Sequence, residues 1–176
     1  MGLKRVDNLG ALVSTSVCKD YLEPSVAALT HGNLGLPTHC LNFDIGNACL
    51  GFLSGLSMVG ALIEGGQIQA GLVVAGESSR EVTMATAKRL LEPNVQFSDF
   101  AANLPTLTLG SAGVAMLLVH RDLANTTHQL LGSVALAATE HSQLCIGTET
   151  SMQTDAPKLL SEGVALAERT WALARQ

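Results

Sequence analysis

Aromatic residues are scarce in this chain: one Trp, one Tyr and four Phe among 176 residues, or 3%. The interior is therefore left to Ala, Gly, Leu and Val, a composition suited to helices packed closely on a buried sheet. Positive charge is also thin. Ten Lys and Arg stand against 15 Asp and Glu, for a net charge of −5 with no basic block, which argues against a nucleic-acid partner. Apolar runs are broken by Gly, Ser or Glu before they reach membrane-spanning length, so no membrane span is expected. Met1–Asp7 lacks the apolar core of a signal peptide, and Val6 stands where a myristoylation motif at Gly2 needs Ser or Thr. The four cysteines, Cys18, Cys40, Cys49 and Cys145, form no C-x-x-C pair and have no His at ligand spacing. A zinc site and a disulfide framework are both disfavoured, and a reduced, cytoplasmic setting is expected. Repeats, low-complexity tracts and the composition of disorder are missing as well.

What is present reads as alternating strands and helices. Strand composition covers residues 9–16, 40–45, 70–76, 114–119 and 129–139. Helical spacing is predicted for 26–34, with Pro24 near its start and Gly35 at its end, for 48–64, for 82–91 and for 156–175. The stretch from 92 to Pro105 reads as an excursion loop. Strands joined by helices imply right-handed crossovers and a mainly parallel sheet, with the last two strands antiparallel. The helix over 48–64 is apolar almost all round, which predicts burial on every side. Its Gly51, Gly55 and Gly60 each disfavour helix by about 1 kcal/mol relative to Ala, and close approach of neighbouring backbones is the expected compensation. The fold class expected is α/β, in α-β-α layers with helices on both faces of the sheet.

Cys49 is placed where a strand ends and this helix begins. A thiol in the first helical turn lies near unpaired N–H groups and the positive end of the helix dipole, both of which favour thiolate over thiol. The same N–H groups could hold the oxyanion formed when a thioester carbonyl is attacked. Cys18, Cys40 and Cys145 have no such context and are expected to be small buried hydrophobes. Phe52 and Trp171 are expected to pack. Gly110–Gly113 lacks the Lys-Ser/Thr that follows a phosphate loop, so tight backbone packing is the better account there.

Asn42-Phe43-Asp44 leading into Asn47-Ala48-Cys49-Leu50-Gly51-Phe52, then 72–77 and 108–116, resemble the thiolase superfamily, and within it the 3-oxoacyl-ACP synthase III-like condensing enzymes. The segments 15–25 and 138–145 are similar to the branch that condenses two fatty acyl thioesters head to head in olefin or β-lactone biosynthesis. The resemblance implies a transferase of fatty acyl metabolism. Cys49 would be the nucleophile, accepting an acyl group from an acyl-CoA or acyl carrier protein thioester, with no tightly bound cofactor and no metal. Glu23 would be the base that removes an α-proton from the second acyl chain, acting across a dimer interface. Burial in an apolar channel would suit a carboxylate to that work. Claisen condensation, decarboxylative or not, would give a β-ketoacyl thioester.

Members of that family are roughly twice as long. The resemblance therefore implies that this chain corresponds to a central fragment, incomplete relative to the family. Residues 1–150 would be the thiolase-like half bearing the nucleophile motif, and 151–176 a helical segment leading into a second half that carries the catalytic His and Asn. None of His31, His39, His120, His128 or His141 sits in the family's histidine motif. The partner expected is a second copy or a full-length thiolase-like subunit. An alternative reading is a non-catalytic partner that completes the channel of such a subunit and lends it Glu23. A stand-alone cysteine hydrolase would need a His within reach of Cys49, and no convincing one is offered.

Overall fold

The computed structural model describes residues 8–175; Met1–Asp7, on which the expectations about a signal peptide and Gly2 fall, and Gln176 lie outside the described residues. The chain divides into two compact units. The first joins the stretch ending at Glu77 with Ala112–Gly132, and the second joins Ser78–Ser111 with the stretch from Ser133 onward.

The first unit is a four-stranded sheet of β1 (Ala11–Ser14), β2 (Leu41–Asp44), β3 (Ala70–Glu77) and β4 (Ala112–Val119), in the order β2-β1-β3-β4. β1 pairs in parallel with β2 and with β3, whereas β4 returns antiparallel to β3, Ala70 opposite Val119. Helix α1 (Val26–Leu34) links β1 to β2, and α2 (Gly51–Glu64) links β2 to β3. Successive strand residues point to opposite faces, and the core splits accordingly. Leu12 packs with Ala27 of α1, Leu36 and Cys40. Ala11 and Val13 pack with Val59 and Ile63 of α2 and with Val73 of β3. Leu12, Val13, Val59 and Val73 are fully buried, each contributing about 1.5–3 kcal/mol of burial. The two helices thus cover opposite faces, and the order β2-β1-β3 puts a topological switch point at the carboxyl ends of β1 and β3.

Local signals set the ends of α1. The Ser25 hydroxyl accepts the Ala28 N–H at 3.0 Å, and Gly35 adopts the left-handed conformation (φ 59°) at the other end. The close backbone approach expected of all three α2 glycines is met at Gly51, whereas Gly55 and Gly60 face neighbouring side chains. A Cβ on Gly51 would lie 3.0 Å from the Thr15 carbonyl oxygen, and one on Gly55 2.7 Å from Val73 Cγ1.

The second unit holds α3 (Arg80–Leu90), α4 (Phe97–Leu107), a hairpin of β5 (Cys145–Gly147) and β6 (Met152–Thr154), and α5 (Ala156–Ala174). Arg89 ties it together, donating to the Thr150 carbonyl at 2.7 Å, to Thr86 Oγ1 at 3.0 Å and to Asn103 Oδ1 at 3.3 Å.

Several expectations are corrected. Residues 92–105 are not one loop, because α4 starts at Phe97, where Asp99 Oδ2 accepts the Gln96 N–H at 2.9 Å. Pro105 lies inside this helix, two residues before its end, and removes the N–H that would have bonded to the Ala101 carbonyl. Residues 129–139 form no strand, since no neighbouring strand among the described residues supplies ladder bonds, and Thr139 instead begins a 3-10 turn. The antiparallel partner of β4 is therefore β3. Helix α2 is not buried all round: Gly51, Gly55, Val59 and Ile63 make one buried face, while Leu53 and Met58 are exposed. Trp171 is exposed on α5, none of whose described residues is buried. A Cβ at Gly110 would meet open space, so close packing does not explain that glycine.

Candidate active site

Cys49 sits in a single 3-10 turn, Ala48–Leu50, that runs directly into α2 at Gly51. The helix proper thus begins three residues later than the sequence suggested, but the sulfur still heads a continuous helical stretch. The first hydrogen bond of the turn runs from the Leu50 N–H to the Asn47 carbonyl at 2.9 Å. The Ala48 and Cys49 amides lie ahead of it, among the groups a helix start leaves without an intrahelical acceptor. Cys49 is exposed.

The turn is held from several sides. Ala48 has a positive φ of 42°, the one positive φ at a non-glycine among the described residues, a conformation that L-residues adopt at a cost. Asn47 Nδ2 donates to Ser54 Oγ at 2.9 Å, and that hydroxyl donates to the Leu50 carbonyl at 3.2 Å. Beneath it, Ser14, Thr15 and Ser16 are buried at the end of β1. Thr15 donates its hydroxyl to the Val74 carbonyl at 3.2 Å, and Ser16 Oγ accepts the Gly76 N–H at 2.9 Å. The absence of side chains at Gly51 and Gly55 lets α2 settle on this floor, which fixes where its first turn points.

Glu23 lies on the loop from Thr15 to Ser25, between β1 and α1, ahead of a cis Glu23–Pro24 bond. The structure brings Glu23 and Cys49 to the same edge of the sheet, on the loops that follow the adjacent parallel strands β1 and β2. Glu23 is exposed, not enclosed in an apolar channel, and Val17, Tyr21 and Leu22 nearby are exposed too, Leu22 at 93%. The described residues supply no walls around that carboxylate.

Sequence reasoning missed two further acidic residues at this edge. Asp44, the last residue of β2, accepts from Lys19 Nζ at 2.8 Å, from the Val26 N–H at 3.2 Å and from the Ala27 N–H at 2.9 Å. Burial pushes its carboxyl up, but the Lys19 hydrogen bond, the two amide donors and the Lys19 charge outweigh this and hold it below the usual carboxylate value. Glu77, the last residue of β3, accepts the Val17 N–H at 2.6 Å and the Cys18 N–H at 3.1 Å. The available signal was position: both acids end strands of the same sheet.

The other cysteines divide. Cys40 is buried, which pushes its thiol up, and it contacts the Leu41 carbonyl at 3.6 Å. Cys18 and Cys145 are exposed, contrary to expectation. Cys18 lies on the Glu23 loop, and Cys145 starts a three-residue strand where its sulfur accepts from Thr154 Oγ1 at 3.3 Å. His141 pairs with Glu162 at 3.4 Å. Among the described residues no three His, Cys, Asp or Glu cluster as metal ligands would, and no helix is long and apolar enough to cross a membrane.

Residues 43–139 match the family model of 3-oxoacyl-[acyl-carrier-protein] synthase III. The chain is 40% identical to an acyl-CoA:acyl-CoA alkyltransferase of Xanthomonas campestris over 97% of its own length and 51% of that protein's. It is 44% identical to an acyl-CoA:acyl-CoA alkyltransferase of Shewanella oneidensis over 94% of its length and 51% of that protein's. It thus spans about half the length of the curated relatives it matches. Its fold superposes with a TM-score of 0.94 on a Xanthomonas campestris OleA crystal structure with bound lauric acid and lauroyl-CoA. That match has 39% identity and covers 97% of this chain and 51% of the other.

Proposed function

The chain belongs to the 3-oxoacyl-[acyl-carrier-protein] synthase III family, and from that premise we propose that it bears the acyl-accepting machinery of an enzyme that condenses two fatty acyl thioesters. The observation that carries this is the exposed Cys49 in the turn between β2 and α2, at the head of a continuous helical stretch. The Cys49 thiolate attacks the carbonyl of an acyl-CoA or acyl carrier protein thioester. The tetrahedral oxyanion is stabilised by N–H donors, and the carrier thiolate leaves, giving an acyl-cysteine.

Glu23 then takes an α-proton from a second acyl thioester. The resulting carbanion attacks the acyl-Cys49 carbonyl, a carbon–carbon bond forms, and the Cys49 thiolate departs, leaving a β-ketoacyl thioester. Glu23 needs desolvation to act as a base near neutral pH, and it is exposed in this chain. The apolar walls come from a second thiolase-like subunit, a copy or a longer partner. The exposed Val17, Tyr21 and Leu22 beside Glu23 support such a surface. The names of the alkyltransferase relatives support two fatty acyl-CoA molecules as the substrates. Residues 1–150 act as the half that bears the nucleophile motif and 151–176 as the helical lead into a second half.

The test is mass spectrometry of the chain after incubation with a long-chain acyl-CoA. One acyl group on the Cys49 peptide, lost in Cys49→Ala, is the expected result. Acylation confined to Cys18 or Cys145, or none at all, would overturn the reading.

A further inference from the structure

Both stems of the loop that carries Glu23 end on a single carboxylate. Asp44 Oδ2 takes the Lys19 ammonium and the Val26 N–H, and Asp44 Oδ1 takes the Ala27 N–H. Lys19 lies on one side of Glu23 in sequence, and Val26 and Ala27 on the other. Asp44 therefore closes the base of the loop as a clasp would. Its side chain is only 12% exposed, so its bonds to the helix amides face little competition from water, while the Lys19 ammonium remains in reach of solvent.

The same residue ends β2, and five residues later the chain reaches Cys49. Ile45 continues the ladder, its N–H bonding to the Ser14 carbonyl at 2.8 Å, so the link from Asp44 toward the nucleophile turn is anchored to β1. Glu77 adds a second fastening, holding the Val17 and Cys18 amides where the loop leaves β1.

We propose that Asp44 is a positioning residue for the condensation step, tying the loop that bears Glu23 to the strand that delivers Cys49. This rests on the proposed roles of Glu23 and Cys49. Asp44 touches no reacting atom. Removing its charge frees the loop, and Glu23 then samples many directions instead of the one that reaches an α-proton. A base misplaced by about 1 Å costs on the order of a hundredfold in rate, while the acyl transfer that needs only Cys49 is spared.

Wild type, Asp44→Asn and Lys19→Met are compared in three measurements: acyl-Cys49 formation from a long-chain acyl-CoA, β-ketoacyl thioester formation, and amide hydrogen exchange over residues 17–27. For Asp44→Asn the expected result is acylation within about threefold of wild type, condensation at least about tenfold slower, and exchange of the loop amides at least about tenfold faster. Lys19→Met keeps the two helix amides on Asp44 and should loosen residues 19–25 to a smaller degree, with a smaller loss of condensation. That variant keeps the test decisive if Asp44→Asn does not fold. Unchanged exchange in both variants overturns the proposal, as does wild-type condensation in a variant whose loop exchanges faster. Failure of the underlying reading has a different signature: no acyl-Cys49 in the wild type, or condensation that survives Glu23→Ala. If the wild-type chain forms no condensation product, loop exchange alone decides whether Asp44 is the clasp.

Discussion

Gly55 of α2 and Thr15, just past β1, meet without room for a methyl group: a Cβ on Gly55 would lie 2.9 Å from Thr15 Cγ2, and 2.7 Å from Val73 Cγ1 on the other side. Both neighbours are buried β-branched residues with little rotamer freedom. Gly55→Ala is therefore expected to destabilise by about 1–3 kcal/mol through overpacking, more than the ~1 kcal/mol of helix propensity it gains. Gly60→Ala, on the same helix, meets only the flexible end of Leu130, at 2.9 Å. That variant should be neutral or more stable by up to about 1 kcal/mol. Urea midpoints of the two variants decide the matter, and equal effects would refute the packing account.

The cysteines predict a labelling pattern. Cys18, Cys49 and Cys145 are exposed and Cys40 is buried. A thiol reagent such as dithionitrobenzoate should modify three sulfurs quickly and the fourth only as the protein unfolds. Cys40→Ala should abolish the slow phase and leave the fast three intact. A slow phase that persists in Cys40→Ala would mean that another sulfur is the shielded one.

Asp44 predicts how stability depends on pH. Its carboxyl is more acidic in the folded chain than in the unfolded one. Its contribution is thus complete above the unfolded carboxylate value of about 3.9. It is lost as pH falls through that value and then through the lower folded one. Chemical denaturation from pH 6 downward should show wild type losing more stability than Asp44→Asn below about pH 4. At neutral pH the Asn variant should be weaker by about 1–3 kcal/mol, because three donors lose a charged acceptor. Parallel curves for the two proteins would show that Asp44 contributes nothing to the acid limb.

How much of this was legible in the sequence follows from the range of each interaction. Pro24 and Gly35 bounded α1 because such end signals act within a few residues, although the capping role of Ser25 emerged only from the structure. Cys49 stood out because the strand end and the helix start adjoin it in sequence. Helix α4 was hidden by Pro105, a residue that argues against a helix interior, yet lies inside this one. Residues 129–139 have the composition of a strand, yet a strand is defined by a partner that composition does not name. β5 and β6, three residues each, are too short for any periodicity to register. The Asp44 clasp joins residues 25, 18 and 17 positions apart and the Glu77 contacts residues 60 and 59 apart; only the fold brings such groups together. The exposed face of α2 is the subtler case. Its apolar pattern announces burial all round, yet only the face of Gly51, Gly55, Val59 and Ile63 is buried, because composition does not say which side of a helix meets the sheet.

Ala48 offers a direct test of whether the nucleophile turn is held by strain. With φ at 42°, an L-residue there carries a penalty of about 1–2 kcal/mol, which glycine would remove. Glycine also gains about 0.4–1 kcal/mol of freedom in the unfolded chain. The two terms partly offset, and Ala48→Gly should range from unchanged to more stable than wild type by about 1.6 kcal/mol. The turn that aims Cys49 is then no longer restricted to one conformation, so acyl transfer to Cys49 should slow by about tenfold. Ala48→Val tests the opposite direction. A β-branched side chain resists positive φ more strongly, so a loss of about 1–3 kcal/mol is expected. Thermal or urea denaturation gives the stabilities, and the rate of acyl-Cys49 formation by mass spectrometry gives the function. If Ala48→Gly acylated as fast as wild type, the backbone at Ala48 would play no part in aiming the sulfur. The Asn47–Ser54 hydrogen bond and the close seat of Gly51 on Thr15 would then suffice to hold the turn.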